Sequence, residues 1–403
     1  MENRKKNIKF GTICAREISR DNNVNSHILP IYATSSFEFD NIQQGIDIFA
    51  GKNEGLTYSR YGNPTMDIVA EKIAQLECFG LEMEAKGILL SSGMSAISTL
   101  FAALLTSGDT ILTQGNLYGG TTELLLGVVQ RLGINTILTD LDDLDNVEKL
   151  LSENKEIKAI YFETPANPTL ACVDIENIAK LAKKYNKISI IDNTFATPYL
   201  QRPFAYGVDY IIHSATKFLN GHGNMILGAI IGTDIEVMKN KVWRTMKLMG
   251  TNANAFDAWL LNNGLKTLEL RMDKHCDNAM QVAKYLEQHP KILKVNYPGL
   301  PSHKDFDVAS KQMSQYGAML SFEIKGGLDA GLKFMNSLEN FALAPTLGDV
   351  DTLILHSAGM SHINVDKKVR EANGITDGLI RISVGIEAAD DIIQEIEQAL
   401  SVL

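Results

Sequence analysis

In Ile188-Ser189-Ile190-Ile191-Asp192, and again in Tyr210-Ile211-Ile212-His213-Ser214-Ala215-Thr216-Lys217, a short β-branched run ends beside a residue able to do chemistry. Runs that are apolar at successive positions suit strands buried on both faces, hence a parallel sheet with helices on both sides. The same pattern recurs at 87–90, 110–113, 135–138, 159–162 and 226–231, with helical periodicity between most of them, as at 120–132 and 175–185. The expectation is an α/β fold with a mostly parallel seven-stranded sheet. Ligands of such sheets lie beyond the carboxyl ends of the strands, where both Asp192 and Lys217 would stand.

Outward from this centre the pattern changes. Residues 1–62 read as an irregular arm. Asn63-Pro64-Thr65 offers a helix start, with apolar residues at helical spacing through Leu76. From 237 to 289 the chain reads as helical, interrupted near Gly250. Beyond it, strand candidates at 319–324, 352–355 and 379–384 mix with helices at 330–338 and 391–400. The predicted division is an arm (1–62), a large α/β domain (63–262) and a smaller C-terminal α+β domain (263–403).

Composition narrows the function classes. The 403 residues are 45% apolar and 21% charged, with a net charge of −10. That excludes a disordered or collagen-like chain and argues against nucleic acid as a partner. Cys14, Cys78, Cys172 and Cys276 are scattered without C-x-x-C spacing, so neither structural zinc nor a disulfide framework is expected. A reducing, cytoplasmic setting fits. Residues 1–20 contain no apolar stretch resembling a signal peptide. The apolar region 87–105 is broken by six Ser, Thr and Gly residues (Ser91, Ser92, Gly93, Ser95, Ser98, Thr99), so no membrane span is expected. The histidines, including His222 in Gly221-His222-Gly223, form no metal-binding pattern.

Five local signals carry chemistry. A lysine amine with a depressed pKa is a nucleophile toward carbonyls, and Ser214 and Thr216 before Lys217 could hold a phosphate; the plain alternative is a surface lysine. Asp192 could pair with the ring nitrogen of pyridoxal phosphate, or cap a helix. Ser91-Ser92-Gly93-Met94-Ser95 joins a strand to a helix, as an anion site or simply a tight turn. Tyr118, in Tyr118-Gly119-Gly120, could stack on a planar cofactor and act as a general acid, or be a partly buried core residue. Arg381, within Leu379-Ile380-Arg381-Ile382-Ser383-Val384, could seat a carboxylate or form an internal salt bridge.

Taken in order, these elements resemble the cysteine/methionine-metabolism branch of the fold-type I pyridoxal-phosphate enzymes. The resemblance runs from Tyr58-Ser59-Arg60 and Asn63-Pro64-Thr65 through Glu163-Thr164-Pro165-Ala166-Asn167-Pro168, Asp192-Asn193-Thr194 and Ser214 to Lys217. It continues through Gly221-His222-Gly223 and Leu347-Gly348-Asp349 to Arg381. It implies the following assignments. Lys217 carries pyridoxal 5'-phosphate as a Schiff base, Asp192 faces the pyridine nitrogen and Tyr118 stacks on the ring. Gly93, Met94, Ser214 and Thr216 bind the phosphate, with Tyr58 and Arg60 from an adjacent subunit. Asn167 and Arg381 hold the substrate, assisted by the backbone near Thr346. A homotetramer of two catalytic dimers is implied as well.

Within the family the resemblance is greatest to methionine γ-lyase, through Phe49-Ala50-Gly51, Lys325-Gly326-Gly327 and Phe334-Met335-Asn336. The implied reaction is α,γ-elimination of L-methionine to methanethiol, 2-oxobutanoate and ammonia. Pro345 stands where cystathionine-handling members usually carry a Glu. Gly120 replaces the Cys frequent in the γ-lyases, and Thr346 a usual Ser. The segment 250–257 is closer to cystathionine γ-synthase. The alternative is therefore γ-replacement on O-acetyl- or O-succinylhomoserine, by a homoserine-ester sulfhydrylase or cystathionine γ-synthase. A non-catalytic cofactor-dependent regulator, or an α/β binding protein without cofactor, would have the same fold.

Overall fold

The computed structural model describes residues 8–16, 26–360, 363 and 367–403. Seven strands form the first sheet: β1 (Lys86–Leu90), β2 (Thr110–Gln114), β3 (Asn135–Thr139), β4 (Ile157–Glu163), β5 (Ile188–Asp192), β6 (Tyr210–Ser214) and β7 (Gly228–Gly232). Their spatial order is β1-β7-β6-β5-β4-β2-β3. All neighbours from β6 to β3 are parallel, while β7 runs antiparallel to both β1 and β6. The expected fold-type I architecture is thus observed.

Alternation along each strand builds two cores. Ile160, Phe162, Ile191 and Ile211 face one layer, with Val69 and Ile73 from the helix Pro64–Glu77 and Ile178 from the helix Ile175–Lys184. Ala159, Tyr161, Ile190 and Ile212 face the other, with Ile97, Leu100 and Phe101 of the helix Gly93–Leu104. Burial on both sides is why these strands are continuously apolar. Helix entry follows the sequence signals. Asn63 accepts the Thr65 N–H through its side chain, with Pro64 in the first turn, a cap of about 1 kcal/mol.

The C-terminal part forms a second sheet. Its strands are β8 (Ile292–Asn296), β9 (Met319–Ile324), β10 (Ala342–Leu343), β11 (Leu353–His356) and β12 (Leu379–Ser383), in the order β10-β11-β12-β9-β8. Leu320, Phe322, Ile380 and Ile382 pack under the 21-residue helix Leu268–Gln288, through Ala279, Val282 and Leu286, and under the final helix Ala389–Ser401.

Several elements differ from expectation. The arm contains two short helices, Phe10–Ala15 and Ile42–Phe49; its stretches 1–7 and 17–25 lie outside the described residues. Strand β7 begins at Gly228 rather than 226, because the Leu227 backbone bonds to the Thr216 hydroxyl instead. The helix over 120–132 widens at Leu124–Val129 to a π-helical turn. Strands β8 and β10 were not expected.

Candidate active site

The carboxyl ends of β4, β5 and β6 deliver Glu163, Asp192 and Ser214 side by side. Lys217 follows in the turn after β6, its N–H donating to Ser214 O at 3.1 Å. Its Nζ donates to Thr346 Oγ1 at 2.7 Å. Burial lowers the amine to about 8, the nearby Arg381 charge adds to the shift, and Asp349 opposes it. The neutral, nucleophilic form is therefore available at mild pH. The 346–349 loop can approach so closely because residue 348 is glycine. At φ +87°, any Cβ there would lie 2.7 Å from the Phe218 nitrogen and 2.9 Å from the Lys217 carbonyl carbon.

Ser92 caps the helix Gly93–Leu104, accepting the Ser95 N–H while the Ser95 hydroxyl accepts the Ser92 N–H. A Cβ on Gly93 would stand 2.7 Å from Ser214 Cβ. Gly93, Met94 and Ser214 thus meet at the first turn of a 12-residue helix, where free N–H groups and the dipole favour an anion. Thr216 is placed differently from expectation. Its hydroxyl donates to Leu227 O at 3.2 Å and accepts the Leu227 N–H at 3.1 Å, closing the lysine loop. To donate to a phosphate it would have to release the Leu227 carbonyl.

Asp192 caps no helix. Its Oδ1 accepts the Thr194 N–H at 3.0 Å in a local turn. Burial raises its carboxyl, against the Thr194 hydrogen bonds and His213. Tyr118 is no core residue: half of it is exposed, and its N–H donates to Glu163 Oε2 at 2.9 Å. Its ring lies over the position where residue 120 would carry a side chain. A Cβ there would come within 2.6 Å of Tyr118 Cε1 and 3.3 Å of Met94 Sδ.

Arg381 rises from β12 of the second sheet and is buried. One terminal nitrogen donates to Asn167 Oδ1 at 3.1 Å and the other to Thr346 O at 3.0 Å. Its Nε has no partner, and no ion pair among the described residues reaches it. Burial lowers the guanidinium to about 10. The internal-salt-bridge alternative finds no carboxylate here. A buried planar cation held from two sides and facing no anion suits a substrate carboxylate.

Thr346 joins the two sheets at this point, its side chain to Lys217 and its carbonyl to Arg381. Tyr58 and Arg60 are not brought to Lys217. They line a separate cavity with residues 31–35 and 252–256, and the Arg60 guanidinium sits 5.3 Å from the Tyr58 ring. Two residues near the site, Glu163 and Asp349, stood in quoted motifs without assigned roles. Their importance comes from neighbours distant in sequence, Tyr118 and Lys217. Among the described residues no group of His, Cys, Asp and Glu could hold a metal, and no helix is long and apolar enough to cross a membrane.

Comparison with known proteins gives the family. Residues 11–401 match the family model described as Cys/Met metabolism PLP-dependent enzyme. L-Methionine gamma-lyase of Fusobacterium nucleatum subsp. nucleatum is 44% identical over 373 residues, covering 92% of this chain and 93% of that protein. Cystathionine beta-lyase of Lactococcus lactis subsp. cremoris is 40% identical over 383 residues, covering 95% and 96%. The crystal structure of cystathionine gamma synthase from Xanthomonas oryzae pv. oryzae, in complex with aminoacrylate and cysteine, superposes with a TM-score of 0.90. It is 34% identical, with 98% of each chain covered. The site suits pyridoxal phosphate on its own evidence. It has an anion-favouring helix end that a Cβ at 93 would fill, a buried lysine with a lowered pKa, a carboxyl at the neighbouring strand end and an orphaned arginine nitrogen.

Proposed function

This chain belongs to the Cys/Met metabolism PLP-dependent enzyme family, and from that premise we propose that it is a methionine γ-lyase. The enzyme uses pyridoxal phosphate and acts in carbon–sulfur bond chemistry. The proposed reaction converts L-methionine and water to methanethiol, 2-oxobutanoate and ammonia. The observation that carries the amino-acid reading is Arg381, a buried cation that meets no carboxylate among the described residues. The methionine reading is supported by the 44% identity to an L-methionine gamma-lyase and by Pro345. Pro345 lies exposed two residues before Leu347 and offers no charge to a distal amino group.

In this reading, Gly93, Met94 and Ser214 hold the phosphate and Asp192 faces the ring nitrogen. When bound, pyridoxal phosphate supplies an electron sink for the charge left on the substrate when a proton departs. Arg381, oriented by Asn167 and the Thr346 carbonyl, fixes the α-carboxylate. That orients the Cα–H bond toward Lys217. The Lys217 amine, tethered through Thr346, takes the Cα proton and moves it. Its lowered pKa makes the free base accessible near neutral pH for that task. The Tyr118 hydroxyl donates a proton to the departing sulfur, so the leaving group is a thiol rather than a thiolate.

Tyr58 and Arg60 serve a neighbouring subunit's phosphate in this proposal. Their exposure, in a cavity that Lys217 does not line, supports that assignment. A homotetramer of two catalytic dimers, working in the cytoplasm, completes the reading. So does the division into arm, large domain and C-terminal domain at residues 62 and 262.

The second reading is γ-replacement on a homoserine ester. It is favoured by the sequence 250–257, part of which lines the Tyr58–Arg60 cavity, and by the fold match to a cystathionine gamma synthase. One experiment separates them. Purified holoenzyme is incubated with L-methionine alone, and 2-oxobutanoate and methanethiol are assayed. Equimolar formation of both supports the lyase. Inert methionine, with a replacement product from O-acetylhomoserine and sulfide, refutes it in favour of the second reading.

A further inference from the structure

Glu163 and Asp192 end adjacent parallel strands and are register partners, so two carboxylic side chains stand next to each other, Glu163 buried and Asp192 partly so. Two such groups do not both ionise without a cation between them. Their surroundings differ in kind. Asp192 receives the Thr194 N–H and has His213 of β6 nearby, both favouring its anion. Glu163 receives two donors, neither of them charged. Tyr118 N–H reaches Oε2 at 2.9 Å, and the Tyr161 hydroxyl stands 3.3 Å from Oε1. The other groups facing Glu163 are Thr121 from the helix Gly119–Glu123 and Gln114 of β2, which bonds its backbone. None is a cation, and no ion pair among the described residues reaches it. Burial, then Asp192, raises the Glu163 carboxyl far above the usual carboxylate range.

We propose that Glu163 is a positioning residue that carries a proton at neutral pH. As a neutral acid it anchors the Tyr118 backbone and leaves the negative charge to Asp192. The proposal rests on the reading of Tyr118 and Asp192 as groups facing the cofactor. Its physical sense is a division of labour between twin carboxyls. One ring-facing carboxylate is useful under a pyridinium, whereas a second would raise the cost of holding either. Keeping the second one neutral retains an acceptor for the Tyr118 N–H, and so fixes where the tyrosine ring sits beside Gly120. A purely structural anchor would bind the same N–H as a carboxylate, and the difference is the proton.

Infrared spectroscopy of the apoprotein reads that proton directly. Wild-type protein labelled with ¹³C-glutamate at pH 7 is expected to show the carbonyl stretch of a protonated carboxylic acid, shifted by the label. The band is expected to vanish in Glu163→Gln and, in Asp192→Asn, to give way to the carboxylate at a lower pH than in wild type, because the neighbouring anion is gone. A band that survives Glu163→Gln, or that is absent from wild type, overturns the proposal. Anchoring is read separately, by titrating apoprotein with pyridoxal phosphate. Glu163→Gln, a neutral acceptor, is expected to bind at least about tenfold more tightly than Glu163→Ala, the worth of one buried hydrogen bond. Equal affinities would overturn it. Neither measurement uses a substrate, so failure of the methionine reading leaves both results interpretable.

Discussion

Replacing Arg381 by Met should separate fold stability from activity. At pH 7 the guanidinium is charged in the folded and unfolded chains alike, because even its lowered folded value of about 10 lies above that pH. The penalty of burying it is therefore fully present there. A fall from the usual arginine range to about 10 corresponds to about 3 kcal/mol, at roughly 1.4 kcal/mol per tenfold. Met removes that penalty in a side chain of similar length. It also strips Asn167 Oδ1 and Thr346 O of their donor, at about 1–3 kcal/mol each. The two effects oppose and nearly cancel, so the apoprotein's thermal midpoint should move by no more than a few degrees, at about 2 °C per kcal/mol. Activity should not be spared. Losing a bidentate, charge-assisted seat for the α-carboxylate removes about 3–5 kcal/mol, or roughly 10²–10⁴ in kcat/KM. The assay pairs calorimetry of the apoprotein with steady-state kinetics. Collapse of the fold would show that Arg381 is a structural tie; an unchanged kcat/KM would show that no carboxylate uses it.

Other outcomes follow from the same geometry. Covalent capture of pyridoxal phosphate by the apoprotein should accelerate about tenfold per pH unit and level off above about 8, as the Lys217 amine deprotonates; Lys217→Ala should show neither capture nor turnover. Gly93→Ala places a Cβ 2.7 Å from Ser214 Cβ and should weaken pyridoxal phosphate binding by about tenfold or more in a fluorescence titration, with the fold intact by circular dichroism. If Arg60 serves a neighbour's site, mixing inactive Arg60→Ala and Lys217→Ala chains after dissociation should restore roughly a quarter of wild-type activity, since half the pairs carry one intact site. No recovery would return Arg60 to a role within its own chain.

How much was legible in the sequence depended on where each signal originates. Strands β2, β4, β5 and β6 were visible because burial on both faces demands unbroken apolar runs. Strand β8 was not, since Leu293 and Lys294 are exposed on an edge, and β10 is two exposed residues. The first residues of β7 were misplaced because Ile226 and Leu227 are apolar yet committed to the lysine loop. At the site, Lys217, Asp192 and Arg381 announced themselves as polar residues ending or interrupting apolar strands. Glu163 also ends such a strand, but its meaning depends on its register with Asp192 and its bond to Tyr118. The commitment of Thr216 to Leu227 is likewise a property of the folded loop rather than of the motif that contains it.

The tie made by Thr346 has a consequence for how such a protein diversifies. In the proposed reading, one residue fixes both the seat of the substrate's head, through Arg381, and the reach of the lysine that works on it, since its side chain bonds Lys217 and its carbonyl Arg381. Head and lysine therefore form a gauge of constant length, with every substrate measured from the same end. The neighbouring Pro345 faces solvent and lies outside this gauge. Changes there can select among tails without resetting the chemistry, whereas changes one residue later disturb both ends together. Redesign for a longer or charged thioether should begin at 345 and leave 346 alone.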